Sequence, residues 1–246
     1  MRLERLILTE NECCKTAKPM TPRGIMLHST GADNPNLRRY VGPDDGLLGH
    51  NRFDNHWNTL RPGGRQVCVH AFIGRLTDGS IASYQTLPWQ QRGWHAGRGK
   101  KGSANATHIG IEICEDSLSD GIYFDLVYRE AAELCAYLCI IFGLPAESVI
   151  CHSEGYALGI ASNHADVSHW FPRHGKSMGT FRVDVARLIS VGHIPPVFDA
   201  VVSVPSPIPE IWRVQLGAFS KRDNAAALLE RVKKAGFSDA FLIRGS

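Results

Sequence analysis

Histidine and carboxylate side chains are concentrated in one stretch of the chain, residues 151–171. This stretch contains His152, His164, Asp166 and His169. Its glycines and its lack of a regular apolar period predict an ordered surface loop, where sites are commonly built. Neutral imidazole and carboxylate oxygen are the usual ligands of a catalytic zinc, which takes three protein groups and keeps one position open. We therefore expect His152 and Asp166 to supply two ligands.

The third ligand must come from elsewhere in the chain, and His28 is the best candidate. It follows the short apolar run at residues 24–27 and precedes Ser29-Thr30-Gly31. A histidine at the end of a buried strand can direct its ring into a cleft, so the sequence predicts that His28 meets the distant 151–171 segment.

Composition narrows the class of protein. With 246 residues the chain can form one core of ordinary size and a small appendage. Lys and Arg number 27 against 24 Asp and Glu, far from the basic excess of a nucleic-acid binder. We expect no nucleic-acid partner.

The N-terminal residues 1–10 carry charges inside their apolar run, which does not fit the hydrophobic segment of a signal peptide. No stretch approaches the ~20 apolar residues of a membrane helix. We expect a protein that is synthesised in the cytoplasm without a signal peptide, that does not insert into membranes, and that leaves by another route.

The seven cysteines are odd in number and include no Cys-x-x-Cys pair. This predicts reduced, mostly buried thiols rather than a disulfide framework. Cys135 and Cys139 lie four apart on a predicted helix and are expected to fill the core. Cys151 beside His152 could be a nucleophile, but a small residue ending a strand is the preferred interpretation.

The alternation of predicted strands and helices along the chain predicts an α/β (α+β) domain with a central mixed sheet flanked by helices. Strands are expected at residues 24–28, 67–74, 81–85, 108–114 and 147–151, the second and third forming a hairpin around Asp78-Gly79. Helices are expected at residues 47–60, 124–142 and 179–190, the second being the clearest. The basic loop at residues 98–103 lacks P-loop spacing and is interpreted as a cleft rim.

Glu112 lies among isoleucines in the predicted strand 108–114. Periodicity alone leaves it open whether the side chain faces outward or into a cleft. If it faces a cleft, apolar walls would raise its pKa toward the value that a general base needs.

Residues 191–210 are rich in proline and predict a linker between domains. Residues 211–246 then predict a small β-α-β unit, with strands at 212–217 and 240–243 around one helix. A unit this short is expected to need a second copy or the main domain for stability.

Several motifs together resemble the zinc-dependent N-acetylmuramoyl-L-alanine amidases of the phage-lysozyme and peptidoglycan-recognition superfamily. The motifs, spread over residues 24–190, are Ile25-Met26-Leu27-His28-Ser29-Thr30, Trp94-His95-Ala96-Gly97, Asn105 with Ile109-Gly110-Ile111-Glu112, and His152 with Asp166. The resemblance implies that residues 1–190 form the catalytic domain. It also implies Zn²⁺ ligands at His28, His152 and Asp166 and a catalytic carboxylate at Glu112.

The sequence departs from the family at His164, where many relatives carry Lys two residues before the last ligand. A hydrogen-bond-donating imidazole could still stabilise an oxyanion, so we assign His164 that role. The departure leaves open whether His164 or His169 replaces Asp166 as a ligand. Trp94, His95, Asn105 and Trp170 are the expected substrate-binding residues, with a structural role for His95 and core packing for the tryptophans as alternatives.

The C-terminal residues 212–243 resemble the first half of a SPOR repeat, a class of domain that binds peptidoglycan glycan strands. The resemblances imply a peptidoglycan hydrolase that cleaves between N-acetylmuramic acid and the L-alanine of the stem peptide, as in a phage or prophage endolysin. The alternatives are a non-catalytic peptidoglycan-binding module and a cytosolic amidase that recycles muropeptides. Self-association through the half-repeat is a further possibility.

Overall fold

The computed structural model describes residues 1–192 and 221–235. The chain divides into two compact units, residues 1–200 and 201–246. In the described ranges, no helix has both the length and the apolar character needed to cross a membrane.

Six strands form one mixed sheet in the first unit. They are β1 (Leu3–Arg5), β2 (Gly24–Ser29), β3 (Ala71–Arg75), β4 (Ile81–Gln85), β5 (His108–Ile113) and β6 (Val149–Cys151), in the spatial order β1-β4-β3-β5-β2-β6. Only the β3–β4 hairpin is antiparallel, and the other neighbours run parallel. The predicted α/β fold with a central mixed sheet is confirmed.

Five helices accompany this sheet: α1 (Glu12–Thr16), α2 (Gly121–Phe142), α3 (His152–Leu158), α4 (Val167–Trp170) and α5 (Met178–Ser190). The Oδ1 atom of Asp120 accepts hydrogen bonds from the backbone N–H of Ile122 and Tyr123 and so starts α2. Gly143, at a φ of 64°, ends that helix in the left-handed conformation. The predicted helices at 124–142 and 179–190 are confirmed, each starting slightly earlier than expected.

The two faces of β2 and β5 have different surroundings. Ile25, Leu27 and the three isoleucines of β5 belong to the large core that also contains the buried side of α2. Since side chains alternate along a strand, His28 and Glu112 must lie on the opposite face. His28 pairs directly with Glu112 in the parallel register of β2 and β5. The structure therefore turns Glu112 toward the same space as His28.

An aromatic cluster fills the space between α2, α4 and α5. Trp170 has no solvent-accessible surface and packs against Tyr123 and Phe124, with ring centroids 6.4 and 5.4 Å apart. Phe171 is equally buried. The prediction that Trp170 contacts substrate is therefore wrong, because α4 turns this side chain inward and core packing is the better account.

Two local predictions were also wrong. The helix expected at residues 47–60 is a series of turns, because Asp45 and Asn51 accept hydrogen bonds from nearby backbone N–H groups. The loop expected at residues 151–171 contains α3 and α4 instead. Both helices are too short to show a clear apolar period. The glycines of the segment favoured a loop, but Gly155 lies within α3 and makes room for Met26, because a Cβ there would lie 2.5 Å from the Met26 side chain.

The expectation of reduced cysteines without a disulfide is corrected by a bond between Cys13 and Cys68, 55 positions apart. The bond joins α1 to the segment before β3. No spacing motif marks this pair, since the two cysteines meet only through the fold. Cys135 and Cys139 are free and buried, as predicted for core residues.

The described part of the second unit is helix α6 (Arg222–Lys234). The helix predicted between the two strands is thus present, and Ala225, Leu228, Leu229 and Val232 are its less exposed residues, whereas Ala235, expected on the same apolar face, is exposed. The strands predicted at 212–217 and 240–243, and all but the first two residues of the predicted linker at 191–210, lie outside the described residues.

We expect replacement of both Cys13 and Cys68 by serine to lower the free energy of unfolding by about 2–4 kcal/mol, because the disulfide restricts the unfolded chain. Urea denaturation under non-reducing conditions would measure the change. Cys14→Ser, at the neighbouring free thiol, is the control and should cost much less. Equal stability of the double variant and the wild type would show that the cross-link contributes nothing.

Candidate metal centre

His28, His152 and Asp166 meet at one point of the structure. Nδ1 of His28 lies 3.1 Å from Nδ1 of His152, and Asp166 Oδ2 lies 3.4 and 2.8 Å from these two nitrogens. Among the described residues, this is the group of histidines, cysteines and carboxylates that could hold a metal ion. Residues up to 138 positions apart in the sequence thus converge on one site.

The spacing of these three atoms fits a shared zinc ion. Ligand atoms about 2.0–2.1 Å from a tetrahedral zinc lie roughly 3.3 Å from one another. The observed separations are 2.8 to 3.4 Å. Asp166 Oδ2 is also buried without a hydrogen-bond partner of good geometry, although imidazole nitrogens are adjacent. A buried oxygen in this position is suited to a cation.

His28 reaches the centre from the carboxyl end of β2, between β5 and β6. Its side chain is almost completely buried. Burial lowers the pKa of His28, and this effect exceeds the opposing attraction of Asp166. The imidazole is therefore held neutral, which is the form that binds a metal.

His152 begins α3 immediately after β6, and an ion pair holds this junction. The carboxylate of Glu154 accepts the backbone N–H of Cys151 at 3.0 Å. Arg182 of α5 binds both oxygens of Glu154, each at 3.0 Å. Such two-point contacts fix direction as well as distance, so α5 positions the start of α3 and with it His152.

Asp166 lies just before α4 in a strained backbone conformation, with φ 44° and ψ −130°. For a residue other than glycine, such a conformation costs on the order of 1–3 kcal/mol and is often found at functional sites. Burial alone would raise the pKa of Asp166, but the contacts with His152 and His28 outweigh it and hold the pKa well below its usual range. The carboxylate is therefore ionised.

Glu112 lies beside the three candidate ligands but outside their cluster. Its Oε2 atom is shielded from solvent and has no hydrogen-bond partner in the part of the chain that the structure describes. Burial raises the pKa of Glu112 well above its usual value, and the negative charges of Asp166 and Glu115 add to the effect. A shift in this direction favours the protonated carboxyl and is the direction in which general acids and bases of this type are commonly shifted.

The other two histidines of the 151–171 segment have different neighbours. His164 is exposed, its ring centroid lies 4.6 Å from that of His152, and its Nδ1 is 3.1 Å from the Ser162 hydroxyl. His169 places Nε2 3.1 Å from Glu115 Oε1. The structure thus groups Asp166, rather than His164 or His169, with His28 and His152.

The three remaining predicted substrate residues lie close together. Asn105 Oδ1 accepts the backbone N–H groups of His95 and Ala96, both at 2.8 Å, and so holds the Trp94–Gly97 loop. Trp94 and Asn105 line a cavity of about 280 Å³ with Arg98. Substrate contact by Trp94, His95 and Asn105 stays a prediction, and the contacts of His95 within the chain are with His28, Asn105 and the carbonyl of His108.

Two contacts behind the candidate metal ligands were not visible in the sequence. His95 Nδ1 lies 2.8 Å from Nε2 of His28, and the Ser162 hydroxyl lies 3.3 Å from Nε2 of His152. No spacing rule connects Ser162 to His152. His95 stands in a recognisable motif, but no spacing rule connects it to His28.

Comparison with known proteins gives two family matches. A family described as N-acetylmuramoyl-L-alanine amidase matches residues 18–170, more than half of the chain. The SPOR domain matches residues 184–244. This match begins within α5, so it starts nearer the N-terminus than the unit predicted at residues 211–246.

Individual relatives agree with the larger match. The chain is 39% identical over 70 residues to N-acetylmuramoyl-L-alanine amidase CwlA of a Bacillus species. The aligned region covers 28% of this chain and 28% of CwlA. The chain thus spans little more than a quarter of this curated relative. The hydrolase AmiA of Staphylococcus aureus, solved with its ligand, has a TM-score of 0.53 at 18% identity, covering 78% of this chain and 86% of AmiA. A mutant endolysin from Bacillus subtilis has a TM-score of 0.50 at 21% identity, covering 75% and 99%.

We expect Glu112→Gln to stabilise the metal-free protein increasingly as pH rises. The pKa of Glu112 is higher in the folded protein than in the unfolded chain. Below the unfolded pKa the carboxyl is protonated in both states, so its burial does not oppose folding through charge. As pH rises above the unfolded pKa, the unfolded chain ionises first and the wild-type protein loses folding free energy. The stability difference between variant and wild type should be near zero at about pH 4 and grow by at most about 1.4 kcal/mol per pH unit.

Urea denaturation with EDTA between pH 4 and 8 would measure this difference. Glu147→Gln changes an exposed carboxylate and is the matched control, for which we expect no such growth. A difference that is flat or shrinks with pH would contradict the burial of Glu112.

Proposed function

Since this chain belongs to the N-acetylmuramoyl-L-alanine amidase family, we propose that it hydrolyses the amide bond between N-acetylmuramic acid and the L-alanine of the peptidoglycan stem peptide. The observation that carries the proposal is the meeting of His28, His152 and Asp166, with Glu112 paired in register beside His28. Three protein ligands leave one position of a catalytic zinc open for water, and an adjacent acid can exchange protons with that water.

We propose that the ion is Zn²⁺, held by Nδ1 of His28, Nδ1 of His152 and a carboxylate oxygen of Asp166. Two neutral imidazoles and one carboxylate form a usual ligand set of catalytic zinc. When bound, zinc would polarise the amide carbonyl and lower the pKa of water, which an unactivated amide requires.

Glu112 is proposed as the proton carrier of the reaction. Its carboxylate takes a proton from the attacking water and passes it to the leaving nitrogen of L-alanine. Both transfers need a group whose pKa lies nearer neutrality than that of an ordinary glutamate. The raised pKa of Glu112 supports this role.

His164 is proposed to donate a hydrogen bond to the oxyanion that forms on the attacked carbonyl. It is exposed next to His152, and its Nδ1 contacts Ser162. Its Nε2 is then available for substrate. A donor directed at developing charge is among the strongest contributions to hydrolysis.

Intact cell wall is the proposed substrate, in preference to soluble muropeptides. The SPOR match at residues 184–244 supports this choice, since such domains bind glycan strands. The similarity of fold to an endolysin is consistent with a phage or prophage enzyme that acts on the wall after release. A purely adhesive role is disfavoured, because adhesion does not need Glu112 beside a complete ligand cluster.

We expect Glu112→Gln to lower the rate of wall hydrolysis by about 10²–10⁴-fold while the protein still binds zinc, because the amide cannot carry the proton. Free L-alanine amino groups released from purified walls would be measured, together with bound zinc. EDTA should stop the wild-type reaction and added Zn²⁺ should restore it.

The exposed Glu147→Gln variant serves as the control and should keep its activity. Release of reducing sugars in place of amino groups would show a glycosidase and refute the proposal. If Glu112→Gln kept full activity, the proposed amidase reaction would stand, but Glu112 would have no part in it.

We expect His164→Ala to lower the turnover number by about 10²–10³-fold with little effect on zinc content, because one oxyanion donor is lost. His164→Lys introduces the residue that many relatives carry and should recover a large part of the loss. An alanine variant as active as the wild type would exclude His164 from the reaction.

A further inference from the structure

His28 uses its two ring nitrogens for different purposes. Nδ1 faces His152 and Asp166 in the candidate metal centre, whereas Nε2 lies 2.8 Å from Nδ1 of His95. Two imidazoles in such contact must share one proton between the facing nitrogens. The position of that proton decides whether Nδ1 of His28 has a free lone pair for a metal.

The second nitrogen of His95 determines where the proton lies. Nε2 of His95 is 3.1 Å from the carbonyl oxygen of His108. A carbonyl oxygen can only accept, so His95 Nε2 carries the hydrogen. A neutral imidazole has one N–H, and Nδ1 of His95 is therefore the acceptor for Nε2–H of His28. This leaves Nδ1 of His28 unprotonated and directed at the metal centre.

The ring of His95 is fixed in this orientation by its surroundings. A Cβ at Gly110 would lie 2.5 Å from the His95 ring, and one at Gly93 would lie 2.9 Å from it, so both glycines make room for the imidazole. Asn105 accepts the backbone N–H of His95. The rings of His95 and His28 meet edge to face at 76°, with centroids 5.0 Å apart.

His152 is supported in a different way. Its Nε2 lies 3.3 Å from the Ser162 hydroxyl, whose oxygen is also 3.3 Å from the carbonyl oxygen of Ala96 and 3.1 Å from Nδ1 of His164. The two candidate histidine ligands thus differ: Nε2 of His28 faces an imidazole whose other nitrogen is held by a carbonyl, whereas Nε2 of His152 faces a hydroxyl with several neighbours.

We propose that His95 is a positioning residue, which holds His28 in the Nε2–H tautomer so that Nδ1 binds the metal. The inference rests on the proposed function, because it takes His28 as a zinc ligand. Outer contacts of this kind commonly contribute 10–100-fold to metal affinity.

Zinc affinity, measured by competition with a chromophoric chelator, tests the proposal without relying on activity. We expect His95→Phe to raise the dissociation constant for zinc by about 10–100-fold. His95→Gln retains one acceptor and one donor and should recover most of the affinity. His50→Phe alters an exposed histidine and is the matched control, with wild-type affinity expected.

Nitrogen-15 NMR of the histidine rings gives a second measurement on the wild-type protein. It should show His28 as the Nε2–H tautomer, and this result decides the question even if His95→Phe does not fold. A folded His95→Phe that binds zinc like the wild type, or a His28 that carries its proton on Nδ1, would overturn the proposal. Failure of the wild type to bind zinc at all would instead refute the proposed function.

Discussion

The parallel register that places β2 between β5 and β6 is the constraint on which the site depends. Parallel strands end at the same edge of a sheet, so His28 at the end of β2 and His152 just after β6 are brought together. The same register sets His28 directly opposite Glu112 on β5. A slip of one residue in either pairing would turn one of these side chains to the helix-covered face.

Burial on this face of the sheet shifts the pKa values of His28 and Glu112 in opposite directions. It lowers the pKa of His28 and raises that of Glu112, because a charge of either sign is costly away from water. Asp166 is the exception, since the two imidazoles next to it favour its ionised form. The same environment thus keeps a candidate ligand histidine neutral and a candidate ligand carboxylate charged, and it favours the protonated form of the neighbouring Glu112 carboxyl.

Sequence reasoning identified the candidate ligands and most of the sheet, but not the contacts between distant segments. Alternation along residues 108–113 could not decide which way Glu112 faces, because strand pairing rather than period determines the answer. The aromatic Trp170 has the composition of a substrate wall, and only packing against Tyr123 and Phe124 shows that it is core. The links from His95 to His28 and from Cys13 to Cys68 leave no local pattern, since each joins segments more than 50 positions apart.

Each candidate ligand is held by a different part of the domain. His28 is fixed by strand pairing, and His152 follows a junction that Arg182 of α5 clamps through Glu154. Asp166 keeps its strained backbone next to α4, whose Trp170 is anchored in the aromatic core. Strain of this kind persists only where the surroundings impose it. The buried tryptophan therefore serves the candidate site indirectly: its packing against α2 fixes the helix that follows the candidate ligand Asp166, so the arrangement of the site depends on the folding of the whole domain.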